Sequence, residues 1–121
     1  MMNVLIVDDS RAMRMIVRRT LRQAGFNNIN VLEAENGNDA LSKLAEFPPD
    51  LVLSDWNMPD MDGLALLTEL RRHTKVPFCF ITAQGSVEMR ERARAAGATA
   101  LISKPFTAET FTEILSPYMN G

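Results

Sequence analysis

Four places in the sequence put chemically capable side chains at, or one residue beyond, the end of a short apolar run. Asp8 and Asp9 follow Val4-Leu5-Ile6-Val7. Asp55, with Trp56 and Asn57, follows Leu51-Val52-Leu53. Thr82, with Ala83, follows Phe78-Cys79-Phe80-Ile81. Lys104, with Pro105, follows Ala100-Leu101-Ile102. Singly, each has an ordinary explanation: Asp8 or Asp9 can cap the helix that follows, Asp55 can open a turn toward Pro59, Thr82 can end a strand, and Lys104 can be a solvated charge. Jointly they describe a site. Three carboxylates gathered at one spot repel, and one protonates unless a cation intervenes. A hard divalent ion removes the conflict. Magnesium takes about six oxygen ligands at ~2.0–2.1 Å and keeps several as water, which suits two carboxylates, a backbone carbonyl and a phosphate oxygen. An ionised aspartate on a loop is then a nucleophile for a phosphoryl group. Phosphoryl transfer asks mainly for positioning and for charge stabilisation, which Lys104, the Thr82 hydroxyl and the Ala83 N–H can supply. The sole histidine, His73, falls at the end of a helical segment away from these residues and is expected to be exposed.

These groups meet only if the runs before them are neighbouring parallel strands. Val4–Val7, Leu51–Leu53, Phe78–Ile81 and Ala100–Ile102, with a weaker run at Ile29–Leu32, are too short for helices and are bounded by turn residues. Three of them are apolar without alternation, the pattern of strands buried on both faces. Between them lie five segments with helical spacing. Ser10–Ala24 carries Met13, Ile16, Val17 and Leu21 and stops at Gly25. A second segment is capped by Asn36, turns Ala40, Leu41 and Leu44 inward, and cannot pass Pro48-Pro49. Gly63–Arg72 aligns Leu64, Leu67 and Leu70. Ser86–Ala96 stops at Gly97. Thr107–Met119 turns Phe111, Ile114 and Leu115 inward, with Pro117 kinking or ending it. Five β–α units predict an α/β fold: a doubly wound, five-stranded parallel sheet in the order 2-1-3-4-5, flavodoxin-like, with helices on both faces. In that order strands 1, 3, 4 and 5 are contiguous. Ligands bind beyond the carboxyl ends near the point where strand order reverses, so all four clusters converge on one edge.

Composition narrows the remaining classes. The 121 residues make one domain, 1–121, with no output domain expected. A hydrophobic share of 46% against 23% charged is globular rather than disordered. The formal net charge of −2 gives no global field toward nucleic acid or anionic lipid. The one cysteine, Cys79, allows no internal disulfide, and no window approaches the ~20 apolar residues of a membrane span. The chain is therefore expected to be a cytoplasmic monomer with neither nucleic-acid nor membrane partner.

The set Asp8-Asp9, Asp55, Thr82-Ala83 and Lys104-Pro105 resembles the receiver domain of two-component response regulators, and the resemblance runs the length of the chain. Val7-Asp8-Asp9-Ser10, Ser54 to Pro59 and Met61 to Leu64 are most similar to single-domain chemotaxis regulators of the CheY type. The resemblance implies a self-catalysed phosphoacceptor switch rather than an enzyme. Asp55 would take the phosphoryl group from a histidine kinase's phosphohistidine. Asp9, Asp55 and the Asn57 carbonyl would bind Mg2+ directly, and Asp8 through water. Lys104 would contact the phosphoryl oxygens and precede a cis Pro105. One position departs from the pattern: receivers often carry Tyr or Phe three residues before the lysine, and here it is Leu101.

An aspartate-nucleophile phosphohydrolase also uses magnesium and a strand-end Asp, but it needs a second acid two residues after the nucleophile, and that position is Asn57. An interaction module with a dead site is the third reading, and the intact polar set argues against it. Two partner faces follow. Arg11, Arg14, Arg18 and Arg22 make a basic stripe on the first helix, either a solvated face or a dock for the kinase. Arg90, Arg94, Leu101 and Phe106 lie near the face of the fourth helix, fifth strand and fifth helix, where receivers commonly meet a downstream target. Gln84, two residues beyond Thr82, is expected at the mouth of the site, where it would help set the lifetime of the phosphorylated state.

Overall fold

The structure, a computed structural model, describes residues 1–119. Its elements alternate along the chain: β1 Met2–Val7, α1 Arg11–Gln23, β2 Ile29–Ala34, α2 Gly37–Glu46, β3 Leu51–Ser54, α3 Gly63–Leu70, β4 Phe78–Thr82, α4 Val87–Ala95, β5 Ala100–Ser103 and α5 Ala108–Leu115. All strand pairs are parallel and the order is β2-β1-β3-β4-β5, as the sequence predicts.

Side-chain alternation sends successive residues of a strand to opposite faces, and two cores result. Leu5, Val7, Val52, Phe78 and Phe80 pack with Ala40, Leu66, Leu67, Leu70 and Ala93, so α2, α3 and α4 cover one face. Val4, Ile6, Leu51, Leu53, Cys79, Ile81 and Ile102 pack with Val17, Leu21, Phe111 and Leu115, so α1 and α5 cover the other. Burial pushes the Cys79 thiol up to about 12, so it stays protonated and packs as a small apolar group.

Strands run further than their apolar runs. β3, β4 and β5 end on Ser54, Thr82 and Ser103, and β2 continues through Glu33 to Ala34. Polar residues at the carboxyl ends serve the site and therefore carry no hydrophobic signal. β1 starts two residues early because Met2 and Asn3 pair with Ile29 and Asn30 on β2 alone.

Each long helix opens on a side-chain cap. Ser10, Asn36, Asp62, Ser86 and Thr107 accept a hydrogen bond from the N–H three residues on. Ser10, rather than Asp8 or Asp9, caps α1, which leaves both aspartates available. Gly25 ends the helix at φ +93° with Phe26 N–H donating to the Leu21 carbonyl, and Gly97 does the same for α4 at φ +100°. α5 is shorter than its spacing suggests. It stops at Leu115 because Pro117 has no N–H to continue the ladder, and Ser116–Tyr118 form one 3-10 turn.

The apolar stripe of α1 needs one correction. Val17, Thr20 and Leu21 are buried, but Ile16 is 44% exposed and Met15 52%. The sheet edge admits only a narrow stripe, and Ile16 falls outside it.

Candidate functional site

The strand registers bring the four clusters to one edge. Val7 is paired with Ser54 across β1 and β3, so Asp8 and Asp55 leave the sheet side by side; Asp55 N–H donates to the Val7 carbonyl at 2.9 Å. Thr82 is paired with Ser103 across β4 and β5, and Lys104 N–H donates to the Thr82 carbonyl at 2.7 Å. The Lys104–Pro105 bond is cis, as the resemblance implies.

One carboxylate oxygen from each of Asp8, Asp9 and Asp55 lies within 4.8 Å of the others. Asp8 is buried, Asp55 half-buried and Asp9 exposed, so the cluster forms a gradient from the sheet to solvent. Lys104 Nζ stands 3.6 Å from Asp55 Oδ1 and 3.9 Å from Asp8 Oδ2. Two of the three carboxylates share this one ammonium and Asp9 has none, so the cluster carries an excess of negative charge. Burial pushes the Asp8 carboxyl up to about 6; the Ser10 N–H pulls it back, and Asp55 adds to the rise. Without a further cation the site thus holds its charges at a cost. Hard oxygen donors, excess negative charge and an open side suit a small divalent cation such as magnesium.

Asp55 is held from below. Its Oδ1 accepts the Trp56 N–H at 2.8 Å, and its carbonyl accepts the Ser54 hydroxyl at 2.9 Å. The loop beyond it doubles back tightly, with Gly63 N–H on the Trp56 carbonyl at 2.7 Å. A Cβ at Gly63 would lie 2.3 Å from the Asp55 carbonyl oxygen, so only glycine lets α3 start there. Trp56 is buried, its ring 4.5 Å from that of Phe80, with the Arg92 guanidinium 5.8 Å over it.

Asp8, Asp9, Asp55 and Lys104 therefore meet. Asn57, Ala83 and Gln84 are exposed on the loops around them. Thr82 is fully buried, and its hydroxyl oxygen accepts the Gln84 N–H at 3.2 Å. His73 is exposed, as expected, beside Glu69.

The two partner faces differ from their sequence reading. Arg14 and Arg18 do not join a free stripe: both pair with Glu33 on β2, at 2.7 and 2.8 Å. Helical spacing put them on one side of α1 but could not show that an edge-strand carboxylate faces that side. The exposed surface of α1 is instead Arg11, Ala12, Met15, Ile16, Arg19, Arg22 and Gln23. On the other face Leu101 is buried, only 8% exposed, and packs in the core rather than presenting a surface. Arg90 reaches back to the Gly85 carbonyl and the Ser103 hydroxyl, Arg94 is exposed beside Glu91, and Phe106 stacks on Phe111 at 4.8 Å. A cleft of about 180 Å³ runs between Arg90, Arg94 and Leu101.

A profile of the response regulator receiver domain family matches residues 4–116. The chain belongs to this family. Among characterised receivers it is 44% identical to the chemotaxis protein CheY-3 of Vibrio cholerae over 117 residues, 94% of this chain and 88% of that one. It is 40% identical to chemotaxis protein CheY1 of Helicobacter pylori over 118 residues, 94% of each. The receiver fold superposes on the crystal structure of Vibrio cholerae chemotaxis protein CheY4 with a TM-score of 0.87 at 34% identity, covering 98% of both chains. A receiver is a phosphorylation-activated switch that works with a histidine kinase and a downstream target and binds magnesium at an acidic pocket. This receiver has such a pocket in Asp8, Asp9 and Asp55.

Sequence reasoning missed the supports of that pocket: Glu33, Ser54, Asp62 and Arg92. Asp62 was legible as a cap before Gly63-Leu64. Ser54 acts on the adjacent Asp55 carbonyl, whereas Glu33 and Arg92 carry no local signal, since each acts across the fold.

Proposed function

We propose that this receiver takes a phosphoryl group from a histidine kinase onto Asp55, with Asp9, Asp55 and the Asn57 carbonyl as direct magnesium ligands and Asp8 reaching the ion through water. The observation that carries this reading is the arrangement at Asp55. Its Oδ1 is occupied by the Trp56 N–H and faces Lys104, while its Oδ2 accepts no hydrogen bond among the described residues. The free oxygen is the attacking atom. The Oδ2–P bond forms as the donor's N–P bond breaks, and the imidazole keeps the electron pair. Bound magnesium supplies charge neutralisation for the phosphoryl oxygens. Lys104 Nζ, the Thr82 hydroxyl and the Ala83 N–H supply the remaining donors. Thr82 accepts from Gln84 N–H in the resting state, so its own proton is free to turn toward the phosphoryl group and draw the β4–α4 loop with it. Hydrolysis of the acyl phosphate is self-catalysed, with Gln84 at the water's approach.

The kinase docks on the exposed face of α1, where arginines ring Met15 and Ile16, a fit for an apolar surface with an acidic rim. The target docks over α4, β5 and α5, at the cleft beside Arg90 and Arg94. The receiver acts as a cytoplasmic monomer, and the CheY-type relatives support chemotaxis as its pathway.

The test is incubation with acetyl phosphate and magnesium followed by mass spectrometry. One phosphoryl group on Asp55 is expected, absent in Asp55→Asn and absent with EDTA. Incorporation in Asp55→Asn at the wild-type level would move the acceptor elsewhere. Rapid turnover of phosphomonoesters would favour the hydrolase.

A further inference from the structure

Arg14 lies in the first turn of α1; its side chain is only 13% exposed, and its guanidinium binds in two directions. Nε donates to Glu33 Oε1 on the edge strand at 2.7 Å, and Nη1 donates to the backbone carbonyl of Asp8 at 2.6 Å. That carbonyl belongs to the peptide unit joining Asp8 to Asp9, so its direction sets where the Asp9 side chain departs. The same unit is anchored before by Asp8 N–H on the Ala34 carbonyl at 3.1 Å and after by Ser10 N–H on Asp8 Oδ1 at 2.8 Å. Asp9 itself makes no hydrogen bond or ion pair among the described residues, so its carboxylate is aimed only through its backbone neighbours.

Glu33 is in turn fixed. Arg18 Nη2 donates to its second oxygen at 2.8 Å, and Lys43 Nζ donates to its backbone carbonyl. Burial raises its carboxyl, but the hydrogen bond from Arg14 and the charge of Arg18 outweigh that and hold it below its ordinary value. Glu33 is a fixed anion that keeps the Arg14 fork pointed at Asp8. Planar guanidinium geometry allows this two-sided grip, which one ammonium cannot reproduce.

We propose that Arg14 is a positioning residue for the magnesium loop. Clamped by Glu33 on β2, it holds the Asp8–Asp9 peptide so that both carboxylates face one ion. Losing a partner that orients a ligand from behind typically costs about 10–100-fold in metal affinity. The proposal rests on the reading of Asp8, Asp9 and Asp55 as the magnesium site.

The experiment is a magnesium titration followed by the fluorescence of Trp56, the only tryptophan, on the full chain. It compares wild type, Arg14→Ala, Arg14→Lys and Arg18→Ala, with a thermal melt of each in EDTA. Arg14→Ala is expected to weaken magnesium about tenfold. Arg18→Ala removes the other half of the Glu33 pair without touching Asp8, so its affinity should stay within about twofold of wild type even where its melt falls as far. Arg14→Lys should lie between. Wild-type affinity in Arg14→Ala, or equal losses in Arg14→Ala and Arg18→Ala, overturns the proposal. Should Arg14→Ala fail to fold, unchanged affinity in Arg14→Lys overturns it instead. A wild-type protein without any magnesium response overturns the magnesium reading and this proposal together, whereas a responsive wild type with an unaffected Arg14→Ala overturns this proposal alone.

Discussion

Asp8→Asn is expected to make the metal-free protein more stable at neutral pH. The Asp8 side chain is 7% exposed, and burial lifts its pKa from 3.8 to about 6; Ser10 N–H and Lys104 lower it, Asp55 and Asp9 raise it. A folded-state value above the unfolded one means that the native state binds the proton more tightly. The stability linked to that proton is fully present below about pH 4 and is lost as pH rises through about 6. Two units at ~1.36 kcal/mol each bound the cost of ionised Asp8 at about 3 kcal/mol. The amide keeps an oxygen for the Ser10 N–H, but its NH2 needs partners and Lys104 loses one of two carboxylates. The net gain is therefore about 1–2 kcal/mol, or roughly 4–8 °C in Tm for a chain of this size. The assay is thermal denaturation by circular dichroism in EDTA at about pH 7.5 and again near pH 4. The gain should shrink strongly in acid, where native wild-type Asp8 is protonated and its unfolded counterpart is partly so. Magnesium should narrow the gap at neutral pH by stabilising the wild type more. A lower Tm for Asp8→Asn at neutral pH, or the same gain at both pH values, would show that charge crowding does not strain the site.

Other expectations concern the loops. Asp60 stands at φ +70° with Met61 N–H donating to the Pro59 carbonyl, a tight turn that L residues adopt at a cost. Its side chain is exposed, so Asp60→Val should lose about 1–2 kcal/mol in urea denaturation while Asp60→Gly stays within about 1 kcal/mol of wild type; equal effects would remove the backbone explanation. Gln84→Ala should change the dephosphorylation rate without altering phosphoryl uptake, and an identical decay of the acyl phosphate would leave Gln84 a solvated loop residue. Beryllofluoride should shift the amide resonances of residues 84–89 more than those around Leu101. Leu101 is already buried, and relocating it supplies about 1–2 kcal/mol, well short of the ~5.5 kcal/mol that a full population switch needs. Dominant shifts at Leu101 with a static loop would reverse that assignment.

The sheet and the chemistry on its edge can be read from the residues alone. A strand buried on both faces is apolar along most of its length, so the break near Asp8, Asp55 or Lys104 is visible without knowledge of its neighbours. Parallel β–α units leave few strand orders, and each of those breaks falls on the same side of the sheet. Asn36, Thr107, Gly25 and Gly97 were legible because capping is local, settled within four residues of the backbone it serves. Where side chains reach across the fold cannot be read that way. Periodicity gave α1 a basic stripe, but Arg14 and Arg18 turn to Glu33, which lies 19 and 15 residues away in sequence on the edge strand. The same periodicity set Ile16 with Val17, yet one meets the sheet and the other meets water. Helical spacing says which residues share a side; it does not say what stands opposite. That is set by which strand the helix crosses, and so the residues that hold the site in place stayed hidden while the residues that form it did not.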